Sequence, residues 1–171
     1  MFDKIQTLGG YIHEYQKSLQ APEKFWSRIA ETFFWRKKWD KVVEWDFKQP
    51  EIKWFVDGKL NITENIFEKN LFIKGDDTAI IWEPNNPEED YKKISYRQLY
   101  SMVCQFGNVL KKQGIAKGDR VVIYMPMIPE AVVAMLACAR IGAVHSVVFA
   151  GFSANSLADR INDCSAKLVL T

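Results

Sequence analysis

Two turns of the sequence combine residues that suit the binding of a small molecule. Each turn follows an apolar run typical of a buried parallel β-strand, Val121–Tyr124 in one case and Val144–Phe149 in the other. The first turn contains two prolines, Pro126 and Pro129, which stiffen it. Ligands usually bind at the carboxyl edge of an open α/β sheet, so both turns are candidate sites. The alternative is that the prolines only shape a tight connection between strand and helix.

The second turn, Phe149–Ser153, has the small residues Ala150 and Gly151 near its centre. Small residues allow a ligand or another backbone segment to approach closely. Ser153 then predicts the start of a helix, whose free N–H groups favour an anion at the same edge. A plain helix cap preceded by a glycine turn explains the same residues, and the spacing alone leaves both interpretations open.

Motifs that carry nucleotide chemistry or catalysis are missing from the 171 residues. The sequence has no G-x-G-x-x-G fingerprint, no G-x-x-x-x-G-K-[ST] loop and no G-x-S-x-G elbow. Neither His13 nor His145 lies at metal-ligand spacing from a cysteine. The three cysteines, Cys104, Cys138 and Cys164, are widely spaced in apolar surroundings. We therefore assign no catalytic residue and no metal ligand, and we interpret His145 as a structural residue in a buried strand.

The composition is that of an ordinary globular protein, with 48% hydrophobic and 26% charged residues. A net charge of +2 is too balanced to predict a surface that binds nucleic acid or membrane. The N-terminus lacks the apolar run of a signal peptide, and no stretch is long enough to span a bilayer. The odd, widely spaced cysteines favour a reducing compartment, so we expect a cytoplasmic protein without nucleic-acid or membrane partners. The sequon Asn61-Ile62-Thr63 is attributed to chance.

Residues 1–75 predict an aromatic-rich segment with little regular structure. Pro22 opens a helix that we expect to reach Trp35. Residues 41–55 show no clean period of 2 or 3.6, which predicts an extended segment that packs its rings on the α/β part that follows. Asn61 predicts the cap of a further helix that runs to about Asn70.

Residues 76–171 alternate strand and helix patterns. Strands are predicted at 78–83, 92–94, 121–124, 144–149 and 167–170. Helices are predicted behind a capping box of Ser95 and Gln98, from Pro129 to Ile141, and behind Ser153. This order predicts a parallel βαβαβ sheet with right-handed crossovers. Because the last strand coincides with the last residue and leaves an uncovered sheet edge, we expect a piece of a longer chain.

Several stretches resemble one family. Residues 123–130, IYMPMIPE, and residues 137–152, ACARIGAVHSVVFAGF, resemble the acetyl-CoA synthetases very closely. These belong to the adenylate-forming superfamily. Residues 117–121, KGDRV, and the pair Trp54-Phe55 fit the same pattern. The resemblance extends from about residue 22 to the end of the sequence.

The resemblance implies an AMP-forming ligase that works in two steps. Acetate attacks ATP, with magnesium, to give acetyl-adenylate and pyrophosphate, and the thiol of CoA then displaces AMP. It also implies that residues 1–75 are the family's N-terminal extension and that residues 76–171 begin its α/β AMP-binding domain. The phosphate loop, the acyl pocket and the catalytic lysine of the family fall after Thr171. We therefore expect no activity from this chain without the rest of its own chain.

One site residue follows from the resemblance. The turn at Phe149–Ser153 lies beside the CoA channel in this family, which implies that Gly151 is a close-approach residue for CoA. Three alternatives stay open. The acyl group could be propionate or acetoacetate, since the pocket residues are absent. The chain could be a non-catalytic interaction module, or a dinucleotide-binding domain, against which the missing glycine fingerprint counts.

Overall fold

The computed structural model describes residues 5–171 and divides them into two compact units. The first unit ends at Leu60, and the second runs from Asn61 to Thr171. The first unit contains helices α1 (Leu8–Gln20) and α2 (Pro22–Ala30) and strands β1 (Lys41–Asp46) and β2 (Glu51–Val56). The second contains α3 (Ile62–Lys74), β3 (Thr78–Trp82), β4 (Lys92–Ser95), α4 (Tyr96–Lys112), β5 (Arg120–Ile123), α5 (Pro129–Ile141), β6 (Val144–Val147), α6 (Ala154–Asp163) and β7 (Leu168–Leu170).

The first unit is more regular than its sequence pattern predicts. Helix α1, which is not predicted, begins where the Thr7 hydroxyl accepts a hydrogen bond from the Gly10 N–H at 3.1 Å. Helix α2 ends at Ala30 and not at Trp35, so the predicted end was wrong. The reason is that the Trp35 indole N–H donates to the Ala30 carbonyl at 2.8 Å, in place of a further helical turn.

The segment expected to be irregular, residues 41–55, contains an antiparallel hairpin. Strands β1 and β2 pair in a register that sets Val43 opposite Trp54. The aromatic rings also find partners inside the first unit. Trp35, Trp39 and Phe55 form a cluster with ring centroids 4.9 to 5.3 Å apart in edge-to-face or tilted arrangements, which aromatic pairs prefer. The predicted extended conformation is therefore confirmed, whereas the absence of regular structure predicted for this region was wrong.

The second unit has the predicted α/β architecture. Strands β5, β6 and β7 form a parallel sheet in the order β6-β5-β7, and β3 pairs with β4 as a separate antiparallel hairpin. The capping box at the start of α4 forms as predicted: the Ser95 hydroxyl accepts from the Gln98 N–H at 3.2 Å, and the Gln98 side chain accepts from the Ser95 N–H at 2.9 Å. Helix α5 ends at Gly142, whose φ of +78° suits glycine.

The core of the second unit lies between the sheet and helices α3, α4 and α5. Strand β5 is fully buried at Val121, Val122 and Ile123. Strand β6, by contrast, was wrongly predicted to be buried: Val144 and Val147 are 52% and 54% exposed, and His145 is exposed too. The physical reason is that β6 is an edge strand in this sheet, with β5 as its neighbour. Among residues 5–171, none of the helices combines the length and the apolar composition needed to cross a bilayer.

The amino ends of the sheet strands are joined through Asp119. Its carboxylate accepts from the Ala116 N–H at 2.8 Å and from the Lys167 ammonium at 2.6 Å, and its carbonyl accepts from the Val144 N–H at 2.8 Å. The bond from Lys167 is the main reason why the pKa of Asp119 lies below its usual range. Arg120 donates to the carbonyl of Cys164 at 2.7 Å, so both charges have packing roles.

Asn61 joins the start of α3 to the end of α5. Its side-chain oxygen accepts from the Thr63 N–H at 2.9 Å and from the Thr63 hydroxyl at 2.7 Å, so the predicted cap forms. Its amide nitrogen lies 3.1 Å from the carbonyls of both Ala139 and Arg140, to which it donates. The last carbonyls of a helix have no partner inside the helix. Asn61 therefore satisfies free backbone groups at the start of α3 and at the end of α5. Helix α3 continues to Lys74, one turn beyond its predicted end.

We expect the replacement Asn61→Ala to lower the free energy of unfolding by about 2–3 kcal/mol, the sum of a lost cap and two lost hydrogen bonds. Urea unfolding followed by circular dichroism measures the change. Ser153→Ala is the matched control, because it removes the cap bond of α6 from Ser156 and should cost only about 1 kcal/mol. An equal loss in both variants would show that the bonds to α5 contribute nothing.

Candidate functional site

The two turns singled out in the sequence meet at the carboxyl edge of the parallel sheet. The Val148 N–H donates to the Ile123 carbonyl at 2.9 Å, and the Tyr124 N–H donates to the Leu170 carbonyl at 2.8 Å. These bonds continue the pairing of β5 with its two neighbours to the last residue of each strand. The turns that follow β5 and β6 therefore start side by side, as the parallel arrangement predicts.

The two turns are connected by one side chain. The Tyr124 hydroxyl donates to the Ala150 carbonyl at 2.8 Å and lies 3.0 Å from a second acceptor, the carbonyl of Phe152. Tyr124 is half-buried at the end of β5, and its partners lie 26 and 28 residues further along the chain. No spacing rule in the sequence predicts this contact, because strand pairing alone determines the distance between the turns.

Residues 149–152 form a tight turn closed by a hydrogen bond from the Phe152 N–H to the Phe149 carbonyl at 3.0 Å. The rings of Phe149 and Phe152 meet edge to face with centroids 5.7 Å apart. Gly151 does not have a positive φ, so the turn does not require glycine for its backbone. A Cβ at Gly151 would lie 2.5 Å from the Phe149 ring, so any side chain here would displace that exposed ring. The Phe149 ring is 70% exposed over this glycine.

The far side of this turn is fixed by the first turns of α6. The Ser153 hydroxyl accepts from the Ser156 N–H at 3.3 Å, which is the predicted cap. The Arg160 guanidinium lies 4.6 Å from the centre of the Phe152 ring, within range of a cation–π interaction. Arg160 also donates to the Ser156 hydroxyl at 2.8 Å. Arg160 is thus a packing residue at the candidate site.

The proline turn after β5 is held by a contact from strand β3. Its carbonyl at Met127 accepts from the Trp82 indole N–H at 2.8 Å, which ties the turn to strand β3. The Ile128 N–H donates to the Pro126 carbonyl at 2.8 Å, and α5 begins at Pro129. The Met127 side chain itself is 89% exposed. The prolines therefore shape a fixed connection, and Met127 presents a flexible apolar surface beside it.

This edge offers shape and backbone groups but little acid–base chemistry. Across residues 5–171, no group of three or more His, Cys, Asp or Glu side chains comes together in a way that could hold a metal ion. The three cysteines are free thiols in the structure. Burial raises the pKa of the Cys138 thiol to about 11, so it is protonated and unreactive at neutral pH. Within residues 5–171, the described side chains thus form no metal-binding cluster, and the buried Cys138 thiol is no nucleophile.

A cavity of about 610 Å³ in the first unit does not compete with this edge as a site. It is lined by both α1 and α2 and carries the cations Lys17 and Arg28. Both cations are paired with the Glu14 carboxylate, so their hydrogen-bonding groups are already engaged. The carboxyl edge of the sheet remains the candidate functional site.

The match to protein families divides the chain in two. The family described as "AMP-binding enzyme" matches residues 67–171, and the family described as "Acetyl-coenzyme A synthetase N-terminus" matches residues 11–66. The first match covers more than half of the sequence and includes all of the parallel sheet. The chain therefore belongs to the AMP-binding enzyme family.

Curated relatives sharpen this assignment. The chain is 55% identical over 162 residues to an acetyl-coenzyme A synthetase of Bdellovibrio bacteriovorus, and 56% identical over 162 residues to one of Agrobacterium fabrum. Each alignment covers 94% of this chain and 25% of the relative. The predicted resemblance to acetyl-CoA synthetases is thus confirmed. The chain spans about a quarter of the length of the relatives that it matches.

A solved structure supports the fold class. The acetoacetyl-CoA synthetase from Streptomyces lividans matches with a TM-score of 0.85 and 26% sequence identity. The match covers 94% of this chain and 25% of that one. The predicted α/β fold of an adenylate-forming enzyme is therefore confirmed.

We expect Cys138 to resist alkylation in the folded protein. At pH 8, a thiol with a pKa of about 11 is present as thiolate in only roughly one molecule in a thousand. Iodoacetamide labelling followed by peptide mass spectrometry should therefore modify the partly buried Cys104 and Cys164 first. In 8 M urea, used as an unfolded control, the three should react alike. Native labelling of Cys138 at the rate of Cys164 would contradict a buried, raised-pKa thiol.

Proposed function

We propose that this chain forms the N-terminal quarter of an AMP-forming acetate–CoA ligase. In the reaction, acetate and ATP give acetyl-adenylate and pyrophosphate, and the CoA thiol then displaces AMP to give acetyl-CoA. The observation that carries this proposal is 55–56% identity to acetyl-coenzyme A synthetases across 94% of the chain. An alignment of that extent runs through both compact units, so it does not depend on a single motif.

We also propose that the chain consists of two parts. Residues 1–75 form the N-terminal extension, and residues 76–171 begin the AMP-binding domain. The change of family match between residues 66 and 67 supports a chain of two parts. Helix α3 is the junction element, since it follows the first unit directly and packs against α4 and α5.

The cofactors of the proposed ligase are ATP, magnesium and CoA. The described residues contribute no metal cluster, and the sequence has no phosphate-binding loop, so ATP and magnesium would be held by the rest of the same polypeptide. CoA is different, because Gly151 lies on an exposed loop at the carboxyl edge of the sheet. We propose that Gly151 lines the CoA channel. The lack of a side chain at this exposed position supports this role.

The proposed partners of the ligase are small molecules and the rest of its own chain. The balanced net charge of +2 supports a protein without a nucleic-acid partner. Three free cysteines suit a reducing compartment, which supports a cytoplasmic location. Acetoacetate is the second candidate substrate, because the solved relative is named for it. Its identity of 26% is far below the 55–56% of the acetyl-CoA synthetases, which favours acetate.

The test is a comparison between the full-length ligase and the isolated 171-residue chain. The full-length protein should catalyse acetate-dependent exchange of pyrophosphate into ATP, and form acetyl-CoA when CoA is added. The isolated chain should do neither, since the groups that hold ATP are missing from it. Propionate and acetoacetate serve as alternative substrates. Exchange catalysed by the isolated chain, or a full-length preference for acetoacetate, would contradict the proposal.

The role of Gly151 has its own test. In the full-length ligase, Gly151→Val adds a side chain where the Phe149 ring already lies at 2.5 Å from the Cβ position, so it places new bulk on the loop and displaces the ring. We expect the KM for CoA to rise roughly ten-fold, equivalent to about 1.4 kcal/mol, while the exchange reaction without CoA stays unchanged. Gly9→Ala is the control, because no atom lies within 4 Å of its Cβ position. An unchanged KM for CoA would remove Gly151 from the channel.

A further inference from the structure

Tyr124 occupies a position from which one side chain can control the shape of the neighbouring loop. Its backbone N–H is fixed to the Leu170 carbonyl at 2.8 Å, so the residue extends the pairing of the central strand. Its hydroxyl reaches the carbonyls of Ala150 and Phe152 at 2.8 Å and 3.0 Å. These two carbonyls flank Gly151 directly. The side chain thus connects the most deeply buried strand of the sheet to the loop proposed to face CoA.

The loop has few other restraints. Its own backbone contributes one turn-closing bond, from the Phe152 N–H to the Phe149 carbonyl. The Phe149 ring is 70% exposed and the Phe152 ring is 40% exposed, so neither is anchored in the core. From outside the loop, the Arg160 guanidinium lies over the Phe152 ring at 4.6 Å. A loop held in this way depends strongly on each tether.

We propose that Tyr124 is a positioning residue for the CoA-dependent step. The inference rests on the proposed function and adds a second residue to it. The Tyr124 hydroxyl holds the backbone on both sides of Gly151, so that the glycine keeps its place at the channel before CoA arrives. A loop that is ordered in advance does not lose conformational entropy when the ligand binds. Phenylalanine at this position keeps the ring but loses the hydroxyl, and the loop then has to be ordered by CoA itself.

The proposal is specific to one half of the reaction. Formation of acetyl-adenylate needs acetate, ATP and magnesium, none of which involves the 149–152 turn in the proposed ligase. Displacement of AMP needs CoA in its channel. Loss of the tether should therefore raise the KM for CoA and leave the CoA-independent half-reaction intact. A general loss of stability behaves differently, because a smaller active fraction lowers both rates by one factor without changing KM.

The experiment uses the full-length ligase with the replacement Tyr124→Phe. The rate of acetate-dependent pyrophosphate exchange is measured without CoA, and KM and kcat for CoA are measured with saturating acetate and ATP. We expect a KM for CoA raised about three- to ten-fold, the effect of one or two lost hydrogen bonds, with the exchange rate unchanged. Arg160→Gln, which removes the other tether, should shift KM in the same direction.

Tyr91→Phe is the matched control, because Tyr91 is 53% exposed and its ring contacts Lys93 instead of the loop. It should leave both half-reactions unchanged. If the unaltered enzyme performs the exchange and Tyr124→Phe leaves the KM for CoA unchanged, the positioning role is wrong and the proposed function stands. An equal fall of exchange and transfer at constant KM also overturns it. If the unaltered enzyme shows no acetate-dependent exchange, the proposed function fails, and this inference fails with it.

Discussion

The arrangement of the parallel sheet in the second unit depends on its central strand, β5. Its residues Val121, Val122 and Ile123 are fully removed from solvent, and its backbone pairs with β6 on one side and β7 on the other. Parallel pairing on both sides requires that every N–H and C=O of a buried strand find a partner in a neighbouring strand. The positions of β6 and β7, and of the turns that follow β5 and β6, are thereby set relative to β5. The candidate site exists because these turns begin at one edge of the same sheet.

Polar side chains complete this framework at positions where the backbone would otherwise be left unpaired. Asn61 caps α3 and also satisfies the last carbonyls of α5, and Thr63 beside it is fully buried with its hydroxyl bonded. Asp119 plays the corresponding role at the opposite edge, where it joins the start of β5 to Lys167 and to β6.

The carboxyl edge differs from a complete active site in its chemistry. It presents aromatic rings, a methionine and backbone carbonyls, and it contains none of the clustered acids, bases or metal ligands that a ligase needs. Such a surface can shape the path of a ligand and exclude water from it. This matches a chain that spans about a quarter of the length of its relatives.

Much of the second unit follows from its sequence alone, because its signals are local. The capping box of Ser95 and Gln98, the proline that opens α5 and the glycine that closes it each act within one helical turn, and all formed as expected. The strongly apolar run of β5 likewise predicts a buried strand. The resemblance of residues 123–130 and 137–152 to the acetyl-CoA synthetases could also be recognised from the sequence, and it indicated the family correctly.

The tertiary structure decided what depends on distant partners. The Trp35 indole N–H bonds to the last residue of α2 and so sets its end. Strands β1 and β2 are regular because they pair with each other. Strand β6 is exposed because it lies at the edge of the sheet. The contact from Tyr124 to the turn that contains Gly151 joins residues 26 and 28 positions apart. Local patterns determine backbone conformation over a few residues, whereas such contacts require that the strands pair first. For that reason the sequence predicted the family and the sheet edge at which the two turns meet, and only the folded chain determined how those turns are held.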